Sequence, residues 1–222
     1  WDLVDKHVAI VDTATNGVTY ARRLMNIGMA LAVNPANGEI TLVGTDATNE
    51  VRFEPVLRGK FLKVELARVS PAGATLGIVD LNPHLTYATG QVPQVDRDQS
   101  LGDPRGIVWN AAGTRGYVTG MGSNNLVVID ALGARAGIAP TVAVGEGPTG
   151  VVLDEARGQA YVLCKFEGAI SVVGLASELE TARVRYFDPT PVAIELGRKH
   201  LYDTRKNSGL GQIACGSCHV DA

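Results

Sequence analysis

Pro104-Arg105-Gly106-Ile107-Val108 and Pro148-Thr149-Gly150-Val151-Val152 stand 44 residues apart and read as two copies of one phrase. The same shift takes Tyr117-Val118 onto Tyr161-Val162, and Leu126-Val127-Val128-Ile129 onto Ile170-Ser171-Val172-Val173, without a gap. A repeat of this length made of short β-rich runs has the size of one four-stranded propeller blade. Each unit opens on Pro-x-Gly and runs through an apolar strand to a turn at Ala112-Gly113 or Arg157-Gly158. A second strand, a Gly-containing turn and a third strand follow. A fourth, outer strand is expected at 140–144 in one copy and 181–186 in the other. Consecutive apolar residues in the first two strands predict sheets covered on both faces by their neighbours.

An earlier copy lies 76 residues upstream of the Pro104 unit: Ala30 answers Gly106, Asn34 answers Asn110, Gly44 answers Gly120 and Asn49 answers Asn125. The mismatch between 76 and 44 predicts an insertion, placed within about 54–100, a span that includes the β-rich run Phe61 to Leu66 and the loop-like Gln91 to Ser100. His7 to Asp12 matches the third strand Leu126 to Asp130, so Trp1 falls part-way through a blade. Pro191 is read as the start of a further one. The fold expected is all-β: about four blades of an incomplete ring over residues 1–186, then a short helical segment over 187–222. An open blade leaves an unpaired sheet edge, so either a larger protein or an oligomer completing the propeller is expected.

A chain of 222 residues that is 45% hydrophobic can bury a core. The net charge is -3, with no basic run or basic-aromatic stripe, so nucleic acid is not an expected partner. No apolar run approaches the ~18 residues that span a bilayer, so membrane insertion is not expected.

Cys215-Gly216-Ser217-Cys218-His219 carries the chemistry. Cys-x-x-Cys-His is the attachment signature of c-type haem: two thiols add to the porphyrin vinyl groups, and the next histidine is carried beneath the ring to ligate iron. With 3 Cys and 4 His in the chain, chance would produce the pattern on the order of once in a thousand such sequences. The rival readings are a disulfide, a zinc half-site and a thioredoxin-like pair. Zinc usually takes four ligands, and Cys164, His7, His84 and His200 offer no second pair at finger or ribbon spacing. A thioredoxin-like motif opens a helix in a βαβ unit, whereas only three residues follow His219. Haem is attached outside the cytoplasmic membrane, so the motif implies a periplasmic or extracellular location. Three cysteines cannot all pair, and Cys164, in Tyr161-Val162-Leu163-Cys164, reads as a small buried hydrophobe.

The blade pattern resembles the YVTN-type β-propeller family, with Tyr117-Val118-Thr119-Gly120 and Tyr161-Val162-Leu163-Cys164 at the naming strand. Leu196-Gly197-Arg198, Leu201-Tyr202-Asp203, Ser208 and Gly211, followed by the haem motif, resemble the first haem segment of the di-haem cytochrome c peroxidase and MauG group. That likeness implies thioethers at Cys215 and Cys218, haem c as cofactor, and His219 as the proximal iron ligand. It also implies an electron-transfer role beside a redox partner protein or a further cytochrome domain. Peroxidase-like oxidoreductase activity would need a second haem, for which these residues carry no motif. A propeller used as a binding scaffold without haem is the non-enzymatic rival.

The remaining polar candidates have plainer readings. His84 and His200 read as hydrogen-bonded or solvated side chains rather than haem neighbours. Met25, Met29 and Met121 read as packing residues. Asp46, Asn49 and Glu50 lack EF-hand order and read as a turn network. No Ser-His-Asp order, paired-carboxylate site or phosphate-cradling glycine loop is present, so no catalytic residue is assigned.

Overall fold

A computed structural model of the chain describes residues 5–48 and 60–219, without the side chain of Cys218. Trp1, Asn49, Glu50 and Glu54, on which the sequence reading also drew, lie outside the described residues. The strands β1 (Lys6–Val11) and β2 (Val18–Arg22) form a hairpin. Three four-stranded sheets follow. The first is β3 (Ile27–Val33), β4 (Ile40–Ala47), β5 (Leu62–Val69) and β6 (Thr75–Asp80), and the second is β7 (Pro104–Trp109), β8 (Arg115–Gly120), β9 (Asn125–Asp130) and β10 (Val142–Ala143). The third is β11 (Pro148–Asp154), β12 (Gln159–Cys164), β13 (Ala169–Gly174) and β14 (Leu179–Arg185). Each sheet is an antiparallel meander, and together they are blades of an incomplete propeller. A short α1 (Gln94–Arg97) lies between β6 and β7; α2 (Val192–Tyr202), α3 (Thr204–Asn207) and α4 (Cys215–Cys218) follow the last blade.

The repeat is kept down to its irregularities. Gly28 faces Gly44 and Ala30 faces Val43, skipping Met29; Arg105 and Thr149 are skipped at the corresponding places in the next two blades. A bulge at one site in every copy re-aims the first strand. Proline opens β7 and β11, where a strand tolerates a missing N–H. After each first strand an Asn or Asp closes the turn: Asn34 Oδ1 accepts from Ala36 N at 3.0 Å, Asn110 Oδ1 from Thr114 N at 2.9 Å and Asp154 Oδ1 from Arg157 N at 3.0 Å.

Register locates the extra residues of the first full blade. Gly44 pairs with Glu65, whereas its counterpart Gly120 pairs with Asn125. One added stretch therefore lies between the second and third strands. A second lies at 81–103, where the next blade needs only 144–147. The run Phe61 to Leu66, assigned by sequence to the insertion, instead enters β5, the regular third strand. Pro191 likewise starts no blade: it is the N-cap residue of α2, with φ -58, where its ring suits a helix start.

The core consists of three interlayers. Val8 and Ala21 of the hairpin pack with Leu42, Ala67 and Val69, and Val43, Val64 and Leu66 with Ile107, Trp109, Val118 and Ile129. Tyr117, Leu126 and Val128 pack with Ala160, Val162 and Cys164. The Trp109 indole N–H donates to Thr41 Oγ1 at 2.9 Å across the second layer. Buried Glu178, in the turn before β14, accepts from Arg115 Nη1 at 2.8 Å and latches the last two blades together. At the two ends, Leu31 and Val33 of β3 and Val152 of β11 remain exposed.

Gly44 and Gly120 mark where the second strand crowds its own blade entry: a Cβ on Gly44 would collide with the Ile27 carbonyl and lie 2.6 Å from Met25 Sδ. The third blade has Cys164 there, and the residue facing it is Gly145, where a Cβ would stand 2.9 Å from Cys164 Cβ. Gly44→Ala is expected to lower stability by about 3 kcal/mol in urea unfolding. Gly77→Ala, with nothing within 4 Å of the added carbon, should change it by less than about 0.5 kcal/mol.

Candidate functional site

The Cys-x-x-Cys-His residues occupy the last helical turn. Ala214 at the N-cap has no capping side chain, and its N–H is satisfied by Ser217 Oγ at 2.9 Å; the His219 N–H donates to Cys215 O at 3.0 Å and closes the turn. Cys215 and Cys218 thus sit three apart on one helical turn. Cys215 is an exposed free thiol and His219 is exposed, while Ala214 and Ser217 are buried. Gly216 has a steric role. A Cβ there would lie 2.5 Å from Tyr202 Cδ1, so α4 rests directly on that ring. Tyr202 in turn meets Phe166 of the last blade with ring centroids 4.9 Å apart, and the Arg198 guanidinium covers the other ring at 5.3 Å.

The irregular run before α4 is held largely by the inserted stretch at 81–103. The buried Gln212 donates from Nε2 to Leu62 O at 2.7 Å, and its Oε1 accepts from Asn82 Nδ2 at 2.8 Å. Asn82 is fully engaged: its Nδ2 also donates to Leu101 O at 3.0 Å, while its Oδ1 accepts from Leu101 N at 2.7 Å and Arg135 Nη2 at 2.8 Å. Arg135 comes from the next blade and also donates to Leu81 O and Gln99 O. Burial lowers its pKa to about 10, still well above neutrality. Further along, Ser100 Oγ donates to Leu210 O at 2.7 Å and Val92 N to Gly209 O at 2.9 Å. Gly211 has φ +76, and a Cβ on it would lie 2.6 Å from Arg97 O, so this position requires glycine on both counts.

Asp103 is the buried acid beside the site. It is fully buried, at φ +47, and neither carboxylate oxygen has a hydrogen bond of ordinary geometry. Burial raises its pKa; the adjoining Ser217 hydroxyl and Arg105 oppose that rise. Thr204, also fully buried, fills the space over Gly102 and Gly122, and its N–H donates to Gly122 O at 2.9 Å. The helical segment is therefore seated on the blade edge through two glycines that leave no room for side chains.

The other sequence candidates are dispersed. His84 Nε2 lies 3.0 Å from Asp96 O and 3.2 Å from Ser100 Oγ, and burial lowers its pKa; it is a hydrogen-bonded loop residue. His200 is exposed on α2. Met25 and Met121 are buried and Met29 is half-buried. Cys164 is buried with Sγ 3.3 Å from Ser171 Oγ, and burial pushes its thiol pKa up, the opposite of an activated cysteine. Among the described residues no group of three or more His, Cys, Asp and Glu could hold a metal ion, and no helix is long and apolar enough to cross a membrane. Sequence reasoning passed over Asn82, Asp103, Arg135 and Gln212. The available signal was the excess length itself, since long connections in compact folds commonly carry function.

Comparison with solved structures bears on the fold. The chain is similar to a nidogen/laminin complex, with TM-score 0.51 and 12% identity over 82% of this chain and 56% of that one. It is also similar to a putative 6-phosphogluconolactonase from Bacteroides uniformis, with TM-score 0.51 and 10% identity over 84% and 50%. Hydrazine synthase of Kuenenia stuttgartiensis matches with TM-score 0.49 and 15% identity over 78% and 40%. The chain spans about half the length of the chains it matches, and at these identities the likeness is one of propeller fold alone. No family model and no curated protein sequence matches the chain.

Two variants test this seating. Gln212→Ala removes both of its hydrogen-bonded groups from a buried site, and a cost of about 1–3 kcal/mol is expected. It should appear as faster amide exchange across 208–217, with β12 and β13 unchanged. For Asp103 the folded chain keeps its proton to higher pH than the unfolded chain, so stability falls as pH rises from the ordinary carboxylate range through the raised pKa. Asp103→Asn should therefore melt higher than wild type at pH 7, with the difference vanishing below about pH 4.

Proposed function

We propose that this chain is the haem-carrying part of an extracytoplasmic electron-transfer protein. In this reading a YVTN-like propeller is fused to a c-type cytochrome segment of the di-haem peroxidase and MauG kind. Cys215 and Cys218 would hold haem c through thioethers and His219 would ligate its iron. One observation carries the reading: the Cys-x-x-Cys-His turn is anchored by its buried residues, while a free thiol and an imidazole are left facing outward. That donor set fits the group. The two cysteines share one helical turn, and the histidine follows at its C-terminal end.

When bound, the haem supplies one-electron redox chemistry. The chain's own residues position it. Ser217 and Gly216 fix α4 against Ala214 and Tyr202; Gln212 and Asn82 fix the preceding run against the first full blade; Thr204 seats α3 on Gly102 and Gly122. A haem held there would be oriented by the propeller as well as by the attachment turn. The electron partner is a redox protein or a further cytochrome domain, and a periplasmic or extracellular location follows from where thioethers are made.

Protein produced with haem-attachment machinery should gain one haem in intact mass and give a c-type pyridine haemochrome spectrum. His219→Ala should retain the added mass but lose the native Soret and α/β bands, and Cys215→Ser should lose a thioether. A colourless wild-type protein of unmodified mass would reject the haem assignment.

A further inference from the structure

The hairpin β1–β2 occupies the outer half of a blade. Asp12, directly after β1, accepts from Ala14 N at 2.8 Å as Asp130, the last residue of β9, accepts from Leu132 N at 2.8 Å, which equates β1 with a third strand. In the second sheet the third strand, β9, is paired on both edges, by β8 and β10. By contrast, β1 is paired only with β2 among the described residues, leaving one edge of backbone N–H and C=O groups open.

The layer beneath that edge shows what is missing. Leu31 and Val33 of β3 are 56% and 55% exposed, whereas their counterparts in the next blade, Ile107 and Trp109, are 9% and 7% exposed. The difference is not in the residues, which are apolar in both places. Strand β7 is covered by β3 and β4, the first two strands of the blade before it, and among the described residues β3 has no such pair over it.

We infer that the free edge of β1 and the adjoining Leu31–Val33 strip form a docking site for a two-stranded antiparallel hairpin, supplied by polypeptide outside these 222 residues. Main-chain bonds to β1 give the hairpin its register, and apolar residues at alternate positions cover Leu31 and Val33. A second copy of this chain fits less well, because its own first-and-second-strand hairpins are already built into complete blades. This site is independent of the haem reading and lies on different elements.

The probe is a synthetic peptide of residues 104–120, the chain's own first-and-second-strand hairpin. An isolated hairpin is marginally stable, so the same sequence is also joined ahead of Asp5 by a Gly/Ser linker, which raises its effective concentration. Peptide or fusion is expected to slow amide exchange across 7–11 at least tenfold. Leu31→Lys with Val33→Lys should abolish the effect without altering the melting of the unfused chain, since both side chains are exposed. Absence of protection with both peptide and fusion would overturn the inference. So would protection of β1 by self-association of the unmodified chain.

Discussion

A sheet that is apolar on both faces cannot stand alone in water, and every other feature of this chain answers to that constraint. The middle blade buries one face against the blade before it and one against the blade after. Burial is worth about 25 cal/mol per Å², and a leucine such as Leu126, with no exposed surface, exists in that state only because Ala160, Val162 and Val173 lie across from it. Stability is therefore passed from blade to blade, as in repeat proteins generally. The buried Glu178 with Arg115, and Trp109 with Thr41, add directional bonds to layers otherwise held by shape.

The helical segment is attached by different means. It contributes few apolar anchors, Leu210 and Ala214 among them, and is held chiefly by a polar knot in which Asn82, Gln212 and Arg135 satisfy one another and the local carbonyls. Such a network is directional, and each member left alone would be a buried unpaired group. That arrangement suits a site that must be placed accurately on a rigid scaffold: hydrogen bonds specify position where apolar contact would permit sliding.

Much of the scaffold was legible in the sequence because blades repeat. Pro104 and Pro148, Tyr117 and Tyr161, Gly44 and Gly120 lie at matching register, and a repeated pattern is read twice. The first full blade was harder. Its added stretches shift β5 out of phase, so the run Phe61 to Leu66, which enters that regular strand, reads in the sequence as part of the insertion. Pro191 illustrates the limit of local signals, since proline opens strands here and also suits a helix start. For the site, the Cys215 to His219 motif stands out by spacing alone, whereas its supports do not. Asn82 and Gln212 are separated by 130 positions, and nothing in the neighbourhood of either distinguishes a buried amide from a solvated one. Asp103 is similarly silent, because only the packed structure reveals that a carboxylate has been taken out of water.

The amide pair of Asn82 and Gln212 joins two stretches that are strangers along the chain. Altering either amide alone deprives the other of one partner in a site without water, while Asn82 keeps Leu101 and Arg135 and Gln212 keeps Leu62. The enlarged blade and the cysteine-bearing tail are in that sense one mechanical unit, in which loosening at 82 is felt at 212.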